Sequence, residues 1–367
     1  MDPSPTSTSP ANASLTNVAA SARLTLVNRF LPVWIVAAMI LGIALGRGAP
    51  RLNQTLNHVQ VTGTSLPIAI GLLVMMYPVL AKVRYGDVGR AGVDTRLLIP
   101  SLILNWLLGP ALMFALAWIF LADLPAYRTG LIIVGLARCI AMVLIWNDLA
   151  GGDATAAAVL VAINSLFQIV TFAALGYFYL KVLPNWLGLS TVTVHVSMWP
   201  IARSVLIFLG IPLLAGWLTR TIGERARGRE WYEDTLLPRI GPWALYGLLF
   251  TIVVLFALQG NAITHHPFDV ARIALPLLCY FAIMFFGSIA LGRSLHLSYE
   301  RTITLAFTAA GNNFELAIAV AIGTFGVTSG QALAGVVGPL IEVPALVGLV
   351  YVSLWARKHL FHEVSSH

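Results

Sequence analysis

Four residues with reactive or charged side chains lie inside long apolar stretches of the chain. Arg138 and Cys139 are neighbours in one stretch, Glu315 lies near the middle of a second, and Glu342 lies in a third. An ionisable group in such surroundings is costly, and it is kept where it serves a pathway, a proton relay or a partner charge. These four residues are therefore the first candidates for a functional site.

Cys139 has the neighbour that would make a thiol reactive. The cation of Arg138 favours the thiolate, which is the form that attacks electrophiles and binds metals, and a soft thiolate selects soft centres. One thiol makes a weak, releasable site, as a carrier requires. A buried cysteine is also often an inert core residue, and both interpretations remain open for Cys139.

Glu315 and Glu342 are candidates for proton chemistry, because a carboxyl group in apolar surroundings can gain and lose a proton near neutral pH. The alternative for Glu315 is a structural ion pair with Arg138. Glu342 lies between Pro339 and Pro344. It is either a secondary proton carrier or an acceptor for backbone amides that the prolines leave free.

The stretch around Glu315 contains residues that interrupt helices: Gly311, Asn312 and Asn313 favour turns over helix. We therefore predict a broken helix there, and a break or loosening near Gly135 in the stretch that holds Cys139. The two asparagines are expected to orient Glu315 or to donate to a substrate oxygen. Half-helix ends carry partial charges, which Arg138 and Glu315 would neutralise.

The composition identifies the setting of these residues. Of the 367 residues 58% are hydrophobic and only 10% are charged, against about 45–50% and 25% in soluble domains. This excludes a disordered chain and an ordinary soluble enzyme, and it predicts an all-α polytopic membrane protein. The ten predicted spans are 30–46, 64–82, 97–122, 127–149, 154–180, 203–220, 241–260, 270–292, 301–326 and 330–356.

Internal similarity divides these spans into two sets of five. Gly135–Cys139 aligns with Gly311–Glu315, which makes the fourth and ninth spans, the two broken ones, equivalent. Because five is odd, the halves have opposite orientations, and broken helices crossing at the midplane are expected in such an inverted repeat. Most Lys and Arg residues outside the spans lie on the side of the N-terminus, which predicts both termini in the cytoplasm and explains the net charge of +7 without a nucleic-acid partner.

The predicted domain organisation is simple. Residues 1–24 form a disordered N-terminal tail, residues 25–358 form one transmembrane transporter domain with repeats at about 30–181 and 203–356, and residues 359–367 form a C-terminal tail. No cofactor and no obligate protein partner is expected.

Four strings of the sequence resemble one known family, the arsenical-resistance permeases of the Acr-three type in the bile, arsenite and riboflavin transporter superfamily. The resemblance covers about residues 30–357. The strings are Tyr77–Gly86, Gly130–Val143 with Trp146–Leu149, Thr308–Ile322 and Gly335–Pro344.

The resemblance implies a non-enzymatic carrier of the bacterial inner membrane that expels arsenite, and in some members antimonite, in exchange for protons. The cysteine and glutamate that the family requires fall on Cys139, as the As(III) ligand, and on Glu315. One departure is Gly151, where the family often has a second cysteine, so a mechanism with two thiols in the fourth span is in doubt unless Cys279 reaches the site.

Two other functions remain as alternatives. A sodium-coupled organic-anion symporter of the bile-acid type could use the same scaffold, with Asn164, Ser165 and Gln168 as sodium ligands. A membrane-embedded hydrolase with Cys139 as nucleophile would need a general base beside the thiol, and no histidine lies in a predicted span.

Overall fold

A computed structural model of the chain describes most of the predicted spans. The described residues are 30–48, 60–61, 64–83, 94–140, 142–189, 198–265 and 267–361. The predicted N-terminal tail, 1–24, lies outside them, as does most of the predicted C-terminal tail, 362–367. The last helix reaches Leu360.

The described part of the chain is helical, apart from one short antiparallel pair of strands, β1 (Gln60–Val61) and β2 (Thr64–Ser65). The helices before the first break are α1 (Leu31–Gly48), α2 (Leu66–Ala81), α3 (Thr95–Phe120) and α4 (Pro125–Leu136). Those that follow are α5 (Met142–Leu149), α6 (Ala154–Trp186) and α7 (Met198–Arg227).

The second half of the described chain contains five more helices. Helix α8 consists of the consecutive pieces Arg229–Trp231, Tyr232–Leu236 and Leu237–His265. The others are α9 (Pro267–Ser294), α10 (Tyr299–Ala310), α11 (Phe314–Phe325) and α12 (Gly330–Leu360).

Six helices among the described residues are long and apolar enough to cross a membrane: α3, α6, α7, α8, α9 and α12. The surface agrees with this, since large apolar side chains such as Val170 (78% exposed) and Tyr351 (70% exposed) point outward. Contiguous apolar surface of this kind is avoided by soluble proteins. The chain is therefore a multi-pass membrane protein.

Four long helices each contain one turn of π-helix, and in every case a proline follows the turn by two residues. A proline lacks the N–H of the helical hydrogen bond and its ring clashes with the carbonyl four residues earlier. A wider turn relieves the clash and lets the helix continue. The turns are Leu104–Leu108, Phe178–Val182, Leu206–Gly210 and Tyr232–Leu236, and the prolines are Pro110, Pro184, Pro212 and Pro238.

Side-chain caps begin the helices near the two breaks. The Asp153 carboxylate accepts hydrogen bonds from the amides of Thr155 and Ala156, both at 3.0 Å, at the start of α6. Ser298 caps α10 and Ser329 caps α12 in the same way. Such caps satisfy amides that the first helical turn leaves without a partner, so these starts are encoded locally.

The helices pack in two groups. Helices α1 and α2 both pack against α8, while α3, α4, α9, α10, α11 and α12 form the second group. Helix α7 belongs to both, because its first half packs on α6 and α11 and its second half packs on α2. The two broken segments, α4–α5 and α10–α11, lie in the second group.

Glycine allows the closest helix contacts. A Cβ on Gly42 of α1 would lie 2.6 Å from the carbonyl oxygen of Val253 and 2.7 Å from Cβ of Phe256 on α8. In the second group, the ring of Phe314 at the start of α11 occupies the space beside Gly338 of α12.

The Gly42→Ala variant should be destabilised by about 1–3 kcal/mol, because the added methyl group overpacks the contact between α1 and α8. The midpoint of thermal unfolding in detergent measures this effect. Gly48→Ala is the matched control, since it adds the same group on the same helix with no atom within 4 Å. Equal midpoints for the two variants would contradict the packing argument.

Candidate functional site

Both predicted helix breaks are present, and they meet. Helix α4 ends at Leu136 and α5 begins at Met142, while α10 ends at Ala310 and α11 begins at Phe314. The intervening segments, 137–139 and 311–313, form an isolated antiparallel bridge between Arg138 and Asn312. We call this pair of segments the crossing.

Backbone hydrogen bonds hold the crossing together. The amide of Asn313 donates to the carbonyl of Ala137 at 3.0 Å, and the amide of Cys139 donates to the carbonyl of Gly311 at 3.4 Å. Buried backbone groups that are not in a helix must find other partners. Each break therefore supplies partners for the other.

Arg138 is fully buried (0% exposed) and lies at the carboxyl end of α4. Its Nη2 donates to the carbonyl of Gly135 and its Nη1 donates to the hydroxyl of Tyr280 at 2.7 Å. The carbonyl end of a helix carries partial negative charge, and the guanidinium lies against this end of α4.

The expected alternative of an Arg138–Glu315 ion pair is wrong. Both side chains are described by the structure, and no ion pair joins them; the guanidinium instead bonds Tyr280 and Gly135. The reason is geometric, because Arg138 lies at the end of α4 whereas Glu315 lies in the first turn of α11.

The sulfur of Cys139 lies at the amino end of α5. Its Sγ accepts a hydrogen bond from the amide of Val143 at 3.3 Å, and the residue is 5% exposed. Gly311 leaves room for it, since a Cβ there would be 3.1 Å from Cβ of Cys139. This contact places the sulfur beside the first turn of α5.

Asn312 and Asn313 have separate roles in the crossing. The side chain of Asn312 donates to the carbonyl of Val134 at 2.8 Å, in the last turn of α4. The side chain of Asn313 accepts from the amide of Leu316 at 2.9 Å and so caps α11. Asn312 Oδ1 and Asn313 Nδ2 are buried and have no partner among the residues that the structure describes, so one polar atom on each side chain remains available.

The two acidic residues lie on two helices that pack against each other, α11 and α12. Glu315 is partly exposed in the first turn of α11. Glu342 is 5% exposed on α12. Its Oε1 accepts from the amide of Asn312 at 3.4 Å, so it bonds a backbone amide of the crossing and not one that its neighbouring prolines leave free.

Two residues at the crossing were not recognised as part of this site from the sequence. Gln168 on α6 accepts a hydrogen bond from the amide of Arg138 through Oε1, and Tyr280 on α9 also approaches the carbonyl of Ala309 at 3.4 Å. The only sequence signal for Gln168 was its polarity within an apolar span. Tyr280 carried no signal, because tyrosine is common in such spans.

The structure places the remaining sulfur elsewhere. Cys279 precedes Tyr280 on α9 and is partly exposed, and successive helical residues point about 100° apart. Gly151 has a positive φ of 72°, a backbone conformation that disfavours a cysteine at this position. The candidate site therefore has a single thiol.

The Asn313→Ala variant should lose about 1 kcal/mol of stability, because the first turn of α11 loses its cap. Asn313→Ser keeps a capping oxygen and is the matched control. Thermal unfolding in detergent distinguishes them, and an Ala variant as stable as the Ser variant would show that the cap contributes nothing.

Comparison with known proteins identifies the family of the chain. The model of the sodium bile acid symporter family matches residues 69–266. The chain is 59% identical to the arsenical-resistance protein Acr3 of Corynebacterium glutamicum, over 93% of this chain and 92% of that protein.

Two further relatives are more distant. An uncharacterized transporter of Synechocystis is 36% identical, over 91% of this chain and 90% of its own length. The arsenical-resistance protein Acr3 of Alkaliphilus metalliredigens is 32% identical, over 92% and 94%. The chain therefore belongs to the Acr3 arsenical-resistance proteins, membrane transporters of the sodium bile acid symporter family.

Proposed function

We propose that the chain is a secondary carrier that expels arsenite from the bacterial cytoplasm across the inner membrane in exchange for protons. The observation that carries the proposal is the position of the Cys139 sulfur at the amino end of α5, within the crossing of two broken helices. The names of the relatives agree with arsenical resistance. Antimonite, whose Sb(III) centre is similarly soft, is a second cargo.

The carrier has ten spans in an inverted five-plus-five repeat, with α4–α5 as the fourth span and α10–α11 as the ninth. Two features support this: α4 and α10 are both 12 residues long, and the segments that follow them pair with each other. The pairing supports an equivalence of Arg138 and Asn312 in the two halves. This equivalence differs from the sequence alignment of Gly135–Cys139 with Gly311–Glu315. Both termini are cytoplasmic, as the distribution of Lys and Arg favours.

Cys139 captures the cargo through its sulfur. Arsenite near neutral pH is mainly the uncharged trihydroxide, and As(III) is a soft centre that prefers thiolate. An As–S bond forms as one As–O bond breaks, and the thiol proton leaves with that oxygen as water. Because a single thiol holds the arsenic, addition of water reverses the step and releases it.

Glu315 couples this step to the proton gradient. It releases its proton when arsenite loads from the cytoplasm, and a proton from the outer side returns to it as arsenite leaves. Its position in the first turn of α11 supports this role, because this turn directly follows segment 311–313 of the crossing. Asn312 and Asn313 hold polar atoms toward the cargo oxygens, and Arg138 and Glu342 support the crossing.

The sodium-coupled alternative is not favoured by the contacts at its predicted site. The Oδ1 of Asn164 accepts from the indole of Trp106 at 3.1 Å, and the Oε1 of Gln168 accepts from the amide of Arg138. Both donors lack acceptor capacity, so they define the orientation of each side-chain amide. Each oxygen thus already accepts a hydrogen bond, and the side-chain groups without a partner among the described residues are N–H donors, Asn164 Nδ2 and Gln168 Nε2, which repel a cation.

The Cys139→Ser variant should reduce arsenite accumulation by everted membrane vesicles to the level of vesicles without the protein, because a hydroxyl is too hard a ligand for As(III). Cys279→Ser is the matched control and should transport normally. Full transport by Cys139→Ser would exclude the ligand role, and no transport by the unaltered chain in a strain lacking its own exporters would exclude the function.

The Glu315→Gln variant should stop proton-driven arsenite accumulation, because an amide cannot carry the proton. The measurement is uptake in proteoliposomes as a function of pH, with a proton gradient and separately with a sodium gradient. Transport by Glu315→Gln with an unchanged pH dependence would show that another group carries the proton. Acceleration by sodium alone would favour the symporter.

A further inference from the structure

Two backbone amides at the crossing point away from the bridge, and each is bonded by a side chain 30 residues further along the chain. The amide of Arg138 donates to Oε1 of Gln168 on α6. The amide of Asn312 donates to Oε1 of Glu342 on α12. The bridge pairs Arg138 with Asn312, so the same contact occurs twice, once on each outer edge of the crossing.

These contacts supply acceptors for backbone amides that the bridge leaves without a partner. Segments 137–139 and 311–313 pair with each other on their inner edges, so an extended segment leaves amides on its outer edge without a strand partner. The residues of the crossing are buried, and so are the two side chains that bond its outer amides, Gln168 at 0% and Glu342 at 5% exposure. A buried amide without an acceptor is strongly disfavoured.

The orientation of Gln168 is determined by its contact. A backbone N–H only donates, so the group of Gln168 that faces Arg138 is the carbonyl oxygen and not the amino group. The remaining Nε2 is buried without a partner in the described part of the chain. The side-chain oxygen thus replaces the acceptor that a neighbouring strand would supply.

We propose that Gln168 is a positioning residue for transport, which holds segment 137–139 and therefore the Cys139 sulfur in the geometry that captures the cargo. Glu342 performs the equivalent task for segment 311–313. The inference rests on the proposed function for its transport consequence only, because the position of the sulfur can be measured without transport.

The role requires an oxygen at the end of the side chain and not a charge. Glutamine occupies this position on α6 and glutamate occupies its equivalent on α12, so each should substitute for the other. Methionine has a similar length and no strong acceptor, which makes Gln168→Met the disruptive variant and Gln168→Glu the conservative one.

The transport-independent test uses the Cys279→Ser variant as background. Of the two cysteines in the chain, only Cys139 then remains. Purified protein is treated with N-ethylmaleimide, and the rate of alkylation of Cys139 is followed by mass spectrometry. Gln168→Met should react about fivefold faster or more, because an amide without its acceptor loosens the segment. Gln168→Glu should react at the rate of the background protein, and equal rates for all three would overturn the proposal.

The transport test measures arsenite uptake over a range of concentrations. Gln168→Met should raise the KM about fivefold or more, because the thiol is displaced, and Gln168→Glu should restore it. A merely structural defect would lower Vmax through fewer folded molecules and leave KM unchanged, which would overturn the positioning role. Absence of transport in the unaltered chain would instead remove the proposed function and leave the alkylation result standing.

An equivalent pair of substitutions at Glu342 on α12 keeps the proposal testable if Gln168→Met fails to insert in the membrane. Glu342→Gln should keep the alkylation rate of Cys139 and the KM for arsenite, and Glu342→Met should raise both. If Glu342→Gln behaves like Glu342→Met, the carboxyl is needed for its charge and the equivalence of the two contacts is wrong.

Discussion

The structure depends on the antiparallel pairing of two short extended segments in the interior of a membrane protein. A helix that stops inside a bilayer leaves amides and carbonyls without partners, and lipid supplies none. Here the two interruptions supply partners for each other, through the bonds from Asn313 to Ala137 and from Cys139 to Gly311. Both breaks must therefore meet in space, and a change at either one affects both.

This pairing also determines where the reactive side chains lie. Because the segments are extended, neighbouring residues make contacts in different directions: Arg138 reaches Tyr280 on α9, whereas the sulfur of Cys139 reaches the amino end of α5. Two half-helices, α5 and α11, begin beside the crossing, and Cys139 and Glu315 lie at their amino ends.

The family model and the relatives carry names that refer to different substances, bile acids and arsenicals. In this chain the side-chain oxygens of Asn164 and Gln168 are engaged by N–H donors, so the polar part of α6 serves the protein itself. The sequence showed only that polar residues lie in this span. Which of their atoms remain available was decided by the indole of Trp106 and the amide of Arg138, and both approach from other parts of the chain.

The sequence by itself determined the features that depend on local composition and spacing. The apolar runs predicted the helices, the Gly-Asn-Asn string predicted the end of α10, and the rarity of Arg138, Cys139 and Glu315 in apolar surroundings identified them as candidates. Only the tertiary structure decided their partners: Tyr280 and Gly135 for Arg138 instead of Glu315, Glu342 for the amide of Asn312, and Gln168 for the amide of Arg138. The physical reason is that a backbone group left free by a break bonds whatever acceptor the packing of distant helices brings near it. Helix periodicity predicts that such groups exist but does not identify their partners.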